Sequence, residues 1–336
     1  MKSPIKPAMN SPMRRTVIKT LAAVPLLSLL PRGAHAAYPE RPIRLVVPFA
    51  PGGNADIVGR LVATGMAQAL GQPVLVDNRA GAGGGVGAAQ VARAAPDGYT
   101  LLSGSNGPLT VNPFVQVNPG YDPLKDFAPV GMTSIVPHAL VINPGVAARN
   151  VAELVELSKR QQVGVATSGI GSATHLTLER FNAQTGAKLV HIPYKSGGAM
   201  LPDLMAGTVQ GAMTEFSSAA PFHRAGKLRF VAIASARRSE LASDVPTMIE
   251  AGVRDFLAGS YIGILAPTGV PADVMARLQA ALLTTLRTPA TIDKFRELGA
   301  DMATPEQMTP AGFGAFIRQD YENSREAARV AGIKKE

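Results

Sequence analysis

Short apolar runs, each followed by a turn and then by apolar residues at helical spacing, recur along most of the chain. Ile43–Pro48 reads as a buried strand, and Phe49-Ala-Pro-Gly-Gly53 as the turn after it. In Asn54–Leu70 the residues Ile57, Val58, Leu61, Val62, Met66 and Leu70 keep a period near 3.6, which predicts an amphipathic helix. Val74–Asp77 is the next strand, followed by the glycine-rich Ala80–Gly87 and a helix through Ala95. Tyr99–Ser103 is a third strand. Val163–Thr167 leads through Ser168-Gly-Ile-Gly-Ser172 into a helix near Ala173–Gln184. Leu189–Ile192, Gly211–Met213, Phe230–Ser235 and Tyr261–Ala266 read as further strands, and Ala272–Leu286 and Pro310–Ala331 as late helices. Alternation of this kind predicts an open α/β sheet with parallel strands.

Charge changes the picture at one end. The 336 residues carry a formal net charge of +9, which raises the question of an acidic partner. Six of the 33 basic residues, and none of the 24 acidic ones, lie within residues 1–36. There Lys2, Lys6, Arg14, Arg15, Lys19 and Arg32 accompany the apolar run Leu21–Leu30, and Ala34-His-Ala36 follows. A basic region, a short apolar core and an A-x-A site make a secretory signal, with cleavage expected after Ala36. The run is too short for a membrane span, which takes about 20 residues. Arg14-Arg15 also resembles a twin-arginine signal, so both Sec and twin-arginine export stand as routes to the periplasm. What remains has 27 basic and 24 acidic side chains across residues 37–336, about +3, enough chain for two lobes. The chain has no cysteine, which excludes disulfides, Cys-ligated metals, a thiol nucleophile and a lipid anchor on cysteine. With 5% aromatics and no basic–aromatic cluster, nucleic-acid binding has no support.

The candidate chemistry sits where a strand opens onto a helix, once at 43–56 and again at 163–175. The first N–H groups of a helix lack internal partners and carry partial positive charge, so such a terminus takes an anion. Asn54 and Ser172 are the expected N-caps. In open α/β sheets ligands bind beyond the carboxyl ends of strands, where both loops fall. No arginine is placed to clamp the anion, so main-chain, hydroxyl and water contacts are expected. Asp56 would compete with an anion, and a role in capping or holding the loop suits it better than ligand contact. Enzyme signals are weak. Gly81–Gly87 misses the G-x-G-x-x-G spacing, and there is no phosphate-binding G-x-x-x-x-G-K loop and no G-x-S-x-G elbow. His175 and Glu179 are four apart on one helix but lack a second histidine there, and His138, His191 and His223 are scattered. Neither a cofactor, a metal nor a catalytic residue is expected.

Tyr38-Pro-Glu-Arg-Pro-Ile-Arg-Leu-Val-Val-Pro-Phe-Ala-Pro-Gly-Gly53 with Asp56 resembles the opening of the mature tripartite tricarboxylate transporter substrate-binding proteins, the Bug family. The resemblance continues through Val76–Gly84, Pro96–Leu101, Gly171–Leu176, His191–Lys195, Ala225–Leu228, Val245–Thr247 and Leu265–Pro267, in order over the mature chain. It implies an α/β, two-lobed periplasmic binding protein fold of the type II kind, with a ligand cleft between the lobes. Lobe 1 would be 37–137 and 257–336, discontinuous, and lobe 2 138–256. It implies a small organic carboxylate as ligand (a di- or tricarboxylate, an amino acid or an aromatic acid), permease subunits of a tripartite transporter as partners, and a monomer. Carried over, the carboxylate would be held by Phe49, Pro51, Gly52, Gly53 and Asp56 on one side. On the other side stand Thr167, Ser168, Gly169, Ser172 and His175, with Ser105 and Asn106 lining the same cleft. The chain departs from the family at Ser196, Tyr261 and Thr214-Glu215, where glycine, tryptophan and Asp-Asn are usual. If Glu215 faces the cleft, the ligand carries an ammonium or hydroxyls rather than a second carboxylate, because like charges repel. A sensory subunit with a signalling partner, or a periplasmic enzyme acting on a carboxylate, are the alternative readings.

Overall fold

In the computed structural model, which describes residues 38–335, the first strand is β1 (Ile43–Val47). Four of its five residues are buried, which fits a central strand covered on both faces. The chain passes through Phe49–Gly53 into α1 (Asn54–Leu70), whose Val58, Val62, Met66 and Leu70 form one buried stripe. Burying each such side chain contributes about 1.5–3 kcal/mol. Gly71 closes the helix at φ +69°, the left-handed value that glycine takes without strain.

Next come β2 (Val74–Asn78), α2 (Gly85–Ala92) and β3 (Thr100–Ser105), then the short α3 (Asn112–Val115). β1 lies between β2 and β3, with both pairings parallel. The long β4 (Phe127–Ile142) follows, then α4 (Val151–Arg160), β5 (Val163–Thr167), α5 (Ala173–Thr185), β6 (Leu189–Pro193), α6 (Leu201–Ala206), β7 (Gly211–Glu215), α7 (Phe216–Arg224) and β8 (Arg229–Ile233). β9 (Gly259–Pro267), α8 (Ala272–Leu286), α9 (Pro289–Glu297), β10 (Asp301–Met302) and α10 (Pro310–Val330) complete the described chain. Along the sheet the order is β2-β1-β3-β9-β4-β7-β5-β6, with β8 and β10 also paired to β4.

The sheet is mixed, which corrects the expectation of parallel strands. β9 runs antiparallel to β3 and to β4, and β4 runs antiparallel to β7 and β8. β4 changes partners along its length: residues up to Pro137 pair with β9, and those from His138 onward pair with β7 and β8. No strand was expected at 127–142, although it is the longest among the described residues at 16 residues. Pro129, Gly131 and Pro137 read as punctuation in a sequence, yet the register shift between Pro129 and Gly131 absorbs the first two as a bulge, and Pro137 sits where the strand changes partners. α4, α6, α7 and α9 were likewise not legible. The strongest sequence expectations fared better, since α8 spans the anticipated residues and α1 buries Val58, Val62, Met66 and Leu70 of its stripe, with Ile57 and Leu61 half-buried.

Candidate functional site

Three strand-to-helix junctions, β1–α1, β5–α5 and β7–α7, meet at one small cavity. Of the residues expected there, Phe49, Gly53, Ser105, Ser168, Ser172 and Glu215 line it. Asn54, Ala55, Gly107, Ala173, Ser196, Gly197, Ser260 and Ile262 complete the wall and were not singled out as ligand contacts. No lysine or arginine is among the lining residues, and Glu215 supplies their one ionisable group.

The first loop is held from behind by Asp56. Its Oδ2 accepts the Gly52 N–H at 3.0 Å, and its Oδ1 accepts the Asn78 amide at 2.9 Å and pairs with Arg60 at 3.0 Å. Asn78 also donates to the Phe49 carbonyl at 3.0 Å, so one carboxylate and one amide fix both ends of the turn. Burial pushes the Asp56 carboxyl up, but Arg60, the Gly52 N–H and Asn78 outweigh it and hold the carboxyl below its usual range. Gly52 has φ +85°, where a side chain would be strained. Pro51 and Gly52 are exposed, and neither they nor Asp56 line the cavity. Asp56 therefore has the loop-holding role, with both oxygens occupied.

α1 is capped by Gly53 through extended backbone with no side-chain bond, a correction to the expected Asn54 cap. Asn54 is the first helical residue; its Oδ1 accepts from Ser217 Oγ at 3.0 Å, and its buried Nδ2 has no protein partner. Position alone leaves the Asn54 and Ala55 N–H groups without intrahelical acceptors, and both residues line the cavity. The cap expected at Ser172 is present, its Oγ accepting the His175 N–H at 3.1 Å. Ala173, the first residue of α5, lines the cavity beside it. The Ser168 N–H is taken by Thr174 Oγ1 at 2.9 Å, whereas the buried Ser168 Oγ has no protein partner. Two helix starts and two unpartnered side-chain groups thus surround one small space.

Thr167, Gly169 and His175 stand behind this wall. Thr167 Oγ1 lies 2.7 Å from His191 Nε2 and accepts the Gly169 N–H at 3.3 Å. The His175 ring stacks on His191 at 4.1 Å, and its Nδ1 accepts the Gly171 N–H at 3.3 Å. Burial, with His191 adjacent, pushes the His175 imidazole down to about 3, so the ring is neutral and shapes the loop. Asn106 also falls outside the cavity. Its Oδ1 accepts the Tyr261 N–H at 3.0 Å, and it lines a wider groove with Asp320.

The two sides touch beyond the cavity as well. Ala50 donates its N–H to the Lys195 carbonyl at 3.3 Å. A Cβ on Gly198 would lie 2.5 Å from the Gly52 carbonyl carbon, and one on Gly83 would lie 2.5 Å from the Ile170 oxygen. Glycine is required where backbones approach this closely. Glu215 does face the cavity: it is 9% exposed, lines the wall, and accepts from Ser260 Oγ at 3.0 Å. Ser260 and His138, which bonds to it, were missed because both lie on strands distant in sequence from any recognisable loop motif.

A wall of main-chain donors and hydroxyls with one acid and no base suits binding of a small anion. A family model described as the tripartite tricarboxylate transporter family receptor matches residues 58–325. The chain belongs to that family. It is 37% identical to the protein BugT of Bordetella pertussis over 300 residues, covering 88% of this chain and 91% of BugT. The solved structure of the periplasmic binding protein BugD superposes with a TM-score of 0.85 at 35% identity, covering 89% of this chain and 100% of that one. MatC from Rhodopseudomonas palustris, solved with bound malate, gives a TM-score of 0.83 at 32% identity over 86% of this chain and 99% of that one. This family member therefore has the mixed α/β architecture of periplasmic binding proteins.

Proposed function

We propose that this protein is a periplasmic solute-binding protein that captures a small organic carboxylate and delivers it to a tripartite-type permease. The observation that carries the reading is the pairing of the α1 and α5 starts across one cavity that lacks any basic side chain. A carboxylate placed between Asn54, Ala55, Ser168 and Ala173 meets donors from both sides, with no flexible cation to immobilise. The lobes are 37–137 with 257–336, and 138–256, and the partner change of β4 at Pro137 supports the first crossing. A ligand touching both loops draws the closed form from an open one through its contacts with each. The segment 1–36, which lies outside the described residues, is the export signal in this reading. Membership of a receptor family and the likeness to solved periplasmic binding proteins support binding without chemical turnover. The malate bound by MatC supports a di- or hydroxy-carboxylate as the first candidate.

Glu215 narrows the choice. It presents an acceptor to the same cavity as the helix starts, which favours a ligand that also carries a hydroxyl or an ammonium. A thermal-shift screen of refolded protein against malate, succinate, aspartate, glutamate, adipate and benzoate tests the reading. A ligand at 100 times its Kd adds about 2.7 kcal/mol of stability. Glu215→Gln is expected to weaken a donor-bearing ligand about tenfold or more, since a hydrogen bond to a charged group contributes roughly 1.5–3 kcal/mol. No shift with any carboxylate would reject the ligand class, and unchanged affinities in the Gln variant would reject the role of Glu215.

A further inference from the structure

Glu215 is the cavity end of a buried hydrogen-bond chain that the binding of a carboxylate leaves unused. Ser260 Oγ is 3.0 Å from Glu215 Oε1 and 2.8 Å from His138 Nε2. His138 Nδ1 is 2.8 Å from Thr177 Oγ1, which in turn is 2.9 Å from the Ala173 carbonyl oxygen. The four side chains come from β7, β9, β4 and α5, and none is more than 9% exposed. Glu215 and His138 are register partners on adjacent antiparallel strands, so the sheet itself sets their separation. The chain begins at Glu215 and ends at Ala173, and both of these residues line the cavity.

Proton accounting limits this chain to a few states. Ser260 and Thr177 each own one hydrogen and have two neighbours, so each gives in one direction only. In the first arrangement Glu215 is neutral and donates from Oε1 to Ser260, Ser260 donates to His138 Nε2, His138 donates from Nδ1 to Thr177, and Thr177 donates to Ala173 O. In the second, Glu215 has lost one proton to solvent. Ser260 then donates to Glu215 Oε1, His138 donates from Nε2 to Ser260, and Thr177 turns its hydrogen to Nδ1. A proton on Glu215 Oε2 instead would leave Ser260 donating to Oε1 and the His138 tautomer unchanged, which sets it apart from the first arrangement, and a further arrangement needs a doubly protonated imidazole. Burial, with the Arg180 guanidinium nearby, pushes the His138 imidazole down to about 3 and removes it. Burial also raises the Glu215 carboxyl above its usual range against the opposing pull of Ser260, which brings its proton closer to physiological pH.

Within the described residues no other ionisable group faces Glu215. β4 brings His138 and β9 brings Ser260. α5 adds Arg180 beside His138, and a Cβ built on Gly197, in the loop before α6, would lie 3.0 Å from Glu215 Oε2, 3.0 Å from Thr214 Oγ1 and 3.2 Å from Ser218 Oγ, so only neutral groups gather there. His138 and Thr177 also line the wider, solvent-open groove, which offers the proton a way in and out.

We propose that the Glu215–Ser260–His138–Thr177 chain sets the charge of Glu215 and thereby the class of carboxylate the cavity accepts. With Glu215 ionised, the cavity selects a ligand that also bears a hydroxyl or ammonium. With the proton on Oε1 the chain absorbs it inward, the repulsion of a second carboxylate disappears, and a plain dicarboxylate is admitted. His138 acts here as a positioning residue, through Ser260.

The chain can be read without ligand, by ¹⁵N NMR of histidine-labelled protein across a pH series. The expected result is a His138 ring that stays neutral throughout, with the Nδ1–H tautomer below the Glu215 titration and the Nε2–H tautomer above it. In Glu215→Gln the tautomer no longer changes with pH, and Ser260→Ala, which cuts the chain, gives the same result should the first variant fold poorly. One tautomer at every pH in the unmodified protein, an imidazolium form where Glu215 is ionised, or a switch that survives Glu215→Gln overturns the chain. Ligand choice rests on the carboxylate reading above and has its own arm, with malate and succinate, which differ by one hydroxyl, as probes. The malate-to-succinate affinity ratio is expected to rise about tenfold across the Glu215 titration and to stay flat in Glu215→Gln. A flat ratio in the unmodified protein, or no binding of either acid, overturns the ligand-class half and leaves the tautomer result to decide the chain.

Discussion

Gly198→Val is expected to weaken binding of a carboxylate such as malate by roughly 5- to 150-fold while the protein stays folded. A Cβ at position 198 would sit 2.5 Å from the Gly52 carbonyl carbon, 2.6 Å from its oxygen and 2.9 Å from the Gly53 nitrogen. These are backbone atoms and cannot rotate aside. The Gly198 backbone is not in the left-handed region, so valine introduces no strain within its own loop. The whole cost falls on the approach of the two loops, the approach that places Gly53 and Gly197 on one cavity wall. Overpacking costs typically 1–3 kcal/mol, and each 1.4 kcal/mol is tenfold in affinity, which gives the stated range. Titration calorimetry reads the loss, and an unchanged circular dichroism spectrum shows that the fold survives. Wild-type affinity in this variant would mean that ligand is held without that contact.

Asp56→Ala is expected to lower stability by about 1–3 kcal/mol and to abolish ligand binding with it. The buried carboxylate satisfies the Gly52 N–H and the Asn78 amide, and alanine leaves both without that acceptor. An unsatisfied buried donor costs about 1–3 kcal/mol, and because Gly52 is exposed and water can take up its N–H, the Asn78 amide sets the range. The Arg60 partner is about half exposed and its charge is screened by water, so it adds little. Asp56→Asn retains an acceptor of the same shape and should cost less than alanine. The pH dependence has a definite sign. The folded carboxyl lies below its unfolded value of about 3.9, so the stabilisation is complete above that value and is lost as pH falls through the folded one. Urea unfolding at pH 7 and near pH 3 measures both effects. A variant as stable as the parent would show that the loop is held by other contacts.

The strand–glycine–helix junctions at 43–56 and 163–175 were legible because the rule behind them is local. A buried run, a turn with glycine and an amphipathic stripe each act over a few residues, and a free helix start follows from the same few. Ser172 as a cap and the loop-holding character of Asp56 could be argued on that basis, whereas Phe49, Gly53 and Ser168 as wall residues were named through the family resemblance. Glu215 was flagged only because it departs from the family pattern, and its direction depended on where β7 ends. Position alone was a weaker guide for Asn106, Thr167 and His175. Each sits beside a wall residue, but a turn of one residue sends its side chain to Asp320, to His191 or to the back of the loop.

Sequence by itself determined the α/β class, the family and the two strand–glycine–helix junctions, since all are written in contiguous residues. Tertiary structure alone decided that the sheet is mixed, that β4 changes partners at Pro137, and that glycines 52, 53, 197 and 198 meet backbone to backbone. It also decided that residues 138, 177, 215 and 260 form one chain. The physical reason is that strand pairing is set by non-local register. Which of two faces a side chain occupies changes with a shift of one residue, and no local pattern carries that information across 120 residues of chain.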